Sequence, residues 1–254
     1  MKKTTAVLLF LFITVPLVAS YEEALKLYEN GKHEESLAML ARELDVSRDL
    51  DDDAPNYRIR FLAAHNHWKL GNSDSAVIHF RRCMDMKNRS IDPYIDLSLF
   101  LFEKNRLNDA EAFAKRGLEM EKNAMLYYIL GQVSLKRENF WRAKELLETA
   151  NSIDPENFAS YNALGMVLMY LGKYGDANTA FSAALAINAA SAEITNNVGV
   201  SLEKLAASQK SSGSEKEAAE NYKSALAYYK KANELDMENK TILENLNRLK
   251  DKNN

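Results

Sequence analysis

The groups in this 254-residue chain that could ligate a metal or attack a substrate are four histidines, one cysteine and scattered carboxylates. His65 and His67 stand two apart, so on a helix they project in different directions. His33 and His79 lie elsewhere, with no CxxC or HExxH companion to complete a zinc site. Asp51, Asp52 and Asp53 invite a calcium reading, but their loop lacks the glycine and closing glutamate of an EF-hand. Glycine-rich phosphate loops and nucleophile motifs are absent as well. Cys83, the only cysteine, cannot close an internal disulfide and is expected to be a buried structural thiol. The expectation is therefore a chain that is not an enzyme, with no metal and no cofactor. Its formal net charge of −3, without a basic stripe, also lacks the electrostatic footprint of nucleic-acid binding.

With chemistry set aside, the question becomes what elements the chain builds. Only four prolines and nine glycines interrupt a sequence that is 46% hydrophobic and dominated by alanine, leucine, glutamate and lysine, which predicts an all-α protein. Residues 1–20 stand apart. Lys2 and Lys3 precede an apolar run from Ala6 to Val15, then Pro16 and the small-residue end Val18-Ala19-Ser20. This is the pattern of a secretory signal peptide cleaved after Ser20, placing the chain in the periplasm or outside the cell. The apolar run falls short of the ~20 residues of a membrane-spanning helix, so contact with a membrane is expected only through this segment if it stays uncleaved.

Beyond it, small residues recur on a beat. Gly165 recurs as Gly199 and Gly131 at steps of 34, then as Ser98 and Ala64 at steps of 33 and 34. A second small site, Ala177, repeats as Ala143, Ala110 and Ala76, each followed four residues later by Phe181, Leu147, Ala114 or Phe80. Two small sites twelve residues apart suit two antiparallel helices whose backbones approach closely, where burial offsets glycine's poor helix propensity. Leu171-Gly172-Lys173 and Leu70-Gly71-Asn72 place glycine where the first helix of each hairpin should end. Asp92-Pro93 and Asp154-Pro155 mark breaks between hairpins, with Asp92 expected to cap the helix that follows.

Tyr161, Leu164, Gly165, Ala177 and Phe181, with Tyr127, Leu130, Gly131, Ala143, Leu147 and Pro155 one repeat earlier, resemble the tetratricopeptide repeat. The resemblance implies a right-handed α-solenoid of stacked antiparallel hairpins. About six repeats are expected, at 21–50, 57–90, 91–123, 124–157, 158–191 and 192–238, followed by a capping helix at 239–254. The repeat at 91–123 departs most, at Ser98, Ala114 and Gly117. The last is 14 residues too long, which predicts a hairpin extended by about two turns around residues 206–220. In the capping helix, Ile242, Leu243, Leu246 and Leu249 are expected on one apolar face.

In this family the first helices line the inner groove, the usual site of peptide binding. Carried onto this chain, the inner positions are Tyr21, Leu25 and Tyr28; Phe61, His65 and Trp68; Ile95, Leu99 and Phe102; Tyr128, Gln132 and Leu135; and Asn162, Met166 and Met169. Asn162 and Asn196 are expected to form a short ladder that hydrogen-bonds a peptide backbone. Only Arg58, Lys69 and Lys136 are basic near this face, and the asparagines that would complete a clamp for chaperone tails are missing, so that clamp is not expected. The sequence thus points to an interaction scaffold of the bacterial envelope that holds an apolar or amphipathic protein segment. A carrier for a small hydrophobic ligand such as a lipid or acyl chain, and a structural spacer, are the alternatives.

Overall fold

The computed structural model describes residues 17–46, 54–86 and 90–252. Most of the expected export signal and of the acidic loop at 48–55 lies outside these residues. The chain divides into two compact units, residues 1–97 and 98–254, with the boundary inside one helix. Among the described residues the secondary structure is thirteen helices. The first unit holds α1 (Leu17–Glu29), α2 (His33–Val46), α3 (Ala54–Lys69), α4 (Ser73–Asp85) and the start of α5 (Asp92–Glu103). The second continues with α6 (Leu107–Met120), α7 (Ala124–Lys136), α8 (Phe140–Ile153), α9 (Phe158–Tyr170), α10 (Tyr174–Ile187), α11 (Ala192–Ser211), α12 (Glu215–Leu235) and α13 (Lys240–Lys252). Helix α1 includes Ser20, which is buried, so cleavage after Ser20 would shorten this helix to Tyr21–Glu29.

Every hairpin turns in the same way. A residue with positive φ stands at Gly31, Gly71, Asn105, Glu138, Gly172 and Gly213. The next amide donates back to the carbonyl five residues earlier at 2.8–2.9 Å in each case, as from Lys173 to Leu168. This bond satisfies a carbonyl that the ending helix leaves open, and the left-handed residue makes it geometrically possible. Asn and Ser side chains provide the caps at the other ends: Asn123 accepts from Met125 and Leu126, Asn157 from Ser160, and Ser191 from Ile194. Asp92 does not cap α5. Its own amide and carboxylate both bond the Ser90 hydroxyl, while Pro93 occupies the first turn.

The small sites are where helix meets helix. Ala143 and Ala177 are fully buried. A methyl placed on Gly165 would lie 2.5 Å from the Phe181 ring, on Gly131 2.7 Å from Leu147, and on Gly199 2.8 Å from Tyr229. Each glycine therefore makes room for the large residue four positions past its hairpin's second small site, and the missing Cβ is the space which that side chain fills. In the departing repeat both partners are small, Ser98 and its counterpart Ala114, and both are buried.

In the last hairpin α11 and α12 run to 20 and 21 residues, against 13 or 14 for each helix from α7 to α10. Ala206 and Ala218 close this extension, and Asn221 donates to Gln209 at 2.8 Å. The amphipathic α13 buries Ile242, Leu246 and Leu249. Leu243 is 42% exposed, contrary to the sequence expectation, because a step of one residue on a helix turns it about 100° away from Ile242. A polar knot adds to this docking: Arg248 pairs with the nearly buried Glu203 carboxylate, which also accepts from the Tyr229 hydroxyl at 2.9 Å.

Candidate interaction face

The first-helix residues behave differently in the two units. In the first, the expected inner residues pack largely on one another. Tyr57 stacks on Phe61 at 5.5 Å, Phe61 meets the His65 ring edge-on at 4.7 Å, and His65 stacks on Trp68 at 5.8 Å. Phe80, fully buried, closes the cluster from α4, and Tyr28 reaches His65 from α1 at 6.2 Å. His65 Nε2 is also 3.0 Å from an Asp96 carboxylate oxygen, a bond that ties α3 to α5. Tyr21, Leu25 and Tyr28 pack against the small core formed by Ala24, Leu40, Ile59, Leu62 and Ala63, and Ile95 is half-buried. These residues, expected to line an open groove, are instead largely engaged within the unit. Rings at helical spacing reach neighbouring helices and stack there.

In the second unit, Phe102, Gln132, Leu135 and Met166 converge on an open recess of about 480 Å3. Helices α5, α7 and α9 deliver them, each turning one inner stripe the same way. Lys136, Glu138, Phe140 and Tyr170 complete the lining. Tyr170 is 62% exposed and stacks on Phe140 at 4.8 Å with the rings nearly parallel; Met166 is 38% exposed. Gln132 donates through Nε2 to the Tyr128 hydroxyl at 2.8 Å. Its amide is thereby oriented, and its carbonyl oxygen keeps acceptor capacity.

The remaining expected residues serve packing. Tyr128, Leu135 and Met169 lie against the core of this unit, and Leu99 is half-buried. The asparagine ladder is a correction. Asn196 is only 7% exposed and its carbonyl oxygen accepts from Asn245 of α13, so the carboxamide holds the capping helix. Asn162 accepts from Asn197 at 3.1 Å, a tie between successive hairpins. A residue's repeat register gave its helix and face, whereas the helix that comes to cover it depends on where the stack ends.

Tyr170 was within reach of the sequence, since it follows Met166 by four on the same face. Lys136 was also placed near this face by the sequence, whereas Phe140 and Glu138 were not, because they meet the recess at a helix start and a turn. This turn is held firmly. Glu111 of α6 accepts from Arg137, from Arg142 at 2.9 Å and from Lys115 at 2.8 Å, and Arg137 also donates to Asn108 at 2.6 Å. The hydrogen bonds from Lys115 and Arg137 pull the Glu111 carboxyl down to about 2. Cys83 is buried, its thiol pushed up to about 12 by desolvation, which suits an inert packing role.

No curated protein matches the sequence. Tetratricopeptide repeat profiles match residues 57–89 and 162–239. Among solved structures the fold is similar to MamA, at 19% identity and a TM-score of 0.57 over 72% of this chain and 97% of that one. It is similar also to YrrB, described as a TPR protein with an unusual peptide-binding site, at 17% identity and a TM-score of 0.57 over 81% and 96%. The C-terminal part of a TPR repeat-containing protein from Cytophaga hutchinsonii gives 15% identity and a TM-score of 0.66 over 91% and 88%. The glycine-to-aromatic register, the repeated turn and the shared all-α fold of hairpins agree with the two matched stretches, and the chain carries tetratricopeptide repeats at residues 57–89 and 162–239.

Proposed function

We propose that this chain is a non-enzymatic scaffold of the bacterial envelope, exported by its N-terminal segment, which holds an apolar or amphipathic segment of another protein. The observation that carries the reading is the recess of the second unit. Met166 and Tyr170 leave large apolar surface in water beside Phe102 and Leu135, and such patches mark binding sites. The side chains also divide the work of gripping an extended segment. Phe102, Leu135 and Met166 accept an apolar side chain, with methionine adapting to its shape. The oriented Gln132 carbonyl accepts a backbone N–H, and Lys136 and Glu138 set charges of both signs at the edge. The peptide-binding site reported for YrrB supports this assignment by analogy of fold.

A free lipid or acyl chain is a poorer occupant. Enclosing one requires a closed cavity, and the recess is bounded on one side by a tyrosine that is mostly in water. A photo-crosslinking residue in place of Tyr170, activated in the native cell, tests the assignment. A crosslinked protein that disappears in the Phe102→Ala, Met166→Ala background is the expected result. Absence of any protein adduct, with lipid recovered on solvent extraction, would move the chain to the carrier class. Fractionation of the same cells tests export.

A further inference from the structure

Helix α9 carries a second stripe on the face opposite Met166. Leu164 and Leu168 stand two positions from Met166 on either side, which turns each of them about 160° away from it on a helix. With Tyr161 they form the floor of a second, shallow recess of about 360 Å3. Its walls are α8 and α10, and Lys173 stands at its end beside the hairpin turn. The edge between this recess and the one holding Phe102 and Met166 is aromatic. Helix α8 begins there with two adjacent rings. Phe140 lines the first recess and stacks on Tyr170. Trp141, 64% exposed, lies instead under the Lys173 ammonium, which is 5.3 Å from its ring centre. Residues 140–141 and 170–173 thus form one wall with a recess on each side, and its rings Tyr170 and Trp141 are left mostly in water.

We propose that the protein segment held in the first recess continues over this wall and seats a second apolar side chain between α8 and α10, with Trp141 and Lys173 as the crossing contact. The placement rests on the first recess being the site of a partner segment. Both recesses open at the same edge, so a chain leaving the first at Tyr170 meets Trp141 next. Exposed tryptophan and tyrosine offer large rigid contact areas, and these residue types dominate interface energetics. The charges then select the occupant. Within the second recess Lys144 is already paired with Glu148 at 2.7 Å, and Asp176 lies in the first turn of α10, where it complements the helix N-terminus. At the crest the segment meets the ammonium of Lys173. The occupant is therefore an extended segment with one apolar side chain on each side of the wall and an acidic one between them. Opposite faces of a helix are about 10–12 Å apart, a span that about three or four extended residues cover.

The test places a photo-crosslinking residue at Tyr170 in one full-length chain and at Thr179, exposed in the second recess, in another. Both are activated in the native cell, and the attachment points on the captured protein are mapped by mass spectrometry. The expected result is one partner caught from both positions, with attachment points within about ten residues of each other. The Thr179 adduct should vanish in the Phe102→Ala, Met166→Ala background. Trp141→Ala, at a position mostly in water, should lower its yield roughly tenfold, the scale of a single interface hot spot, with unchanged helicity. Lys173→Glu should lower it as well. An adduct at Tyr170 with none at Thr179, a different protein or a distant stretch caught at Thr179, or a yield indifferent to Trp141→Ala would overturn the crossing and leave the first recess standing. Silence at Tyr170 would overturn the reading of the first recess and the crossing with it.

Discussion

The hairpins α3–α4 and α9–α10 share one skeleton and have opposite surfaces. On the first-helix side, α3 carries rings that stack on each other and on Phe80, whereas α9 leaves Met166 and Tyr170 in water. Between the helices, Arg60, His67, His79 and Arg82 stand where the other hairpin has Tyr161, Leu168, Ala180 and Ala183. Both nonetheless bury a small residue and, sixteen positions on, a phenylalanine, Ala64 with Phe80 and Gly165 with Phe181, and both turn through a left-handed glycine. The repeat is thus specified by a handful of contacts, and the rest of each helix is open to specialisation.

The largest expected effect breaks the shared skeleton. Gly165→Leu drives a branched side chain into the Phe181 ring and should cost at least ~4 kcal/mol, read as the unfolding midpoint in urea. Gly165→Ala should cost about 1–2 kcal/mol, since α3 tolerates Ala64 in the same place. A midpoint unchanged by leucine would mean that the two helices do not approach as described.

Acid should separate the two hairpins' neighbourhoods. His79 is depressed in the folded state, so its contribution is full above the unfolded value near 6.5 and is lost as pH falls toward about 4. The loss is at most about 3.5 kcal/mol, because a shift of one unit corresponds to about 1.4 kcal/mol. Glu111 is also depressed, with a stabilising contribution present above its ordinary value of 4.5 and lost as pH falls toward about 2. Hydrogen exchange should therefore show α3 and α4 loosening at higher pH than α6 to α8. His79→Phe should remove the first of these transitions and Glu111→Gln the second.

The smallest effect sits at the turn beside the recess. Glu138 holds a positive φ of 58° where the α9–α10 hairpin has Gly172 at 71°. Glu138→Gly should raise stability by no more than about 1 kcal/mol, as relief of a left-handed side chain is offset by the greater freedom of an unfolded glycine. A destabilisation larger than that would show that the carboxylate itself holds the turn.

Much of this architecture could be read from residue types and spacing. The small sites gave the hairpins because a glycine in an apolar helix makes sense only beside a neighbour's bulk, and Phe181, Leu147 and Tyr229 are those neighbours. The extra length of the last repeat pointed to longer helices because no proline interrupts it and Ser211–Ser214 offers a turn. The interaction face was legible only in part. Phe102, Gln132, Leu135 and Met166 do share a recess, but Asn196 is covered by α13 and His65 is engaged by Asp96. Both partners are more than 30 residues away in sequence, and nothing in a helical stripe records what will be laid over it.

The knot under α13 also sets a rule for lengthening the array. Glu203 sits where an added hairpin's first helix would have to dock, and its carboxylate is satisfied there by Arg248 and Tyr229. A seventh repeat spliced between α12 and α13 would carry Arg248 away and strand that charge in an apolar seam. Engineered extensions at this end succeed only if the incoming helix brings its own arginine in the matching place.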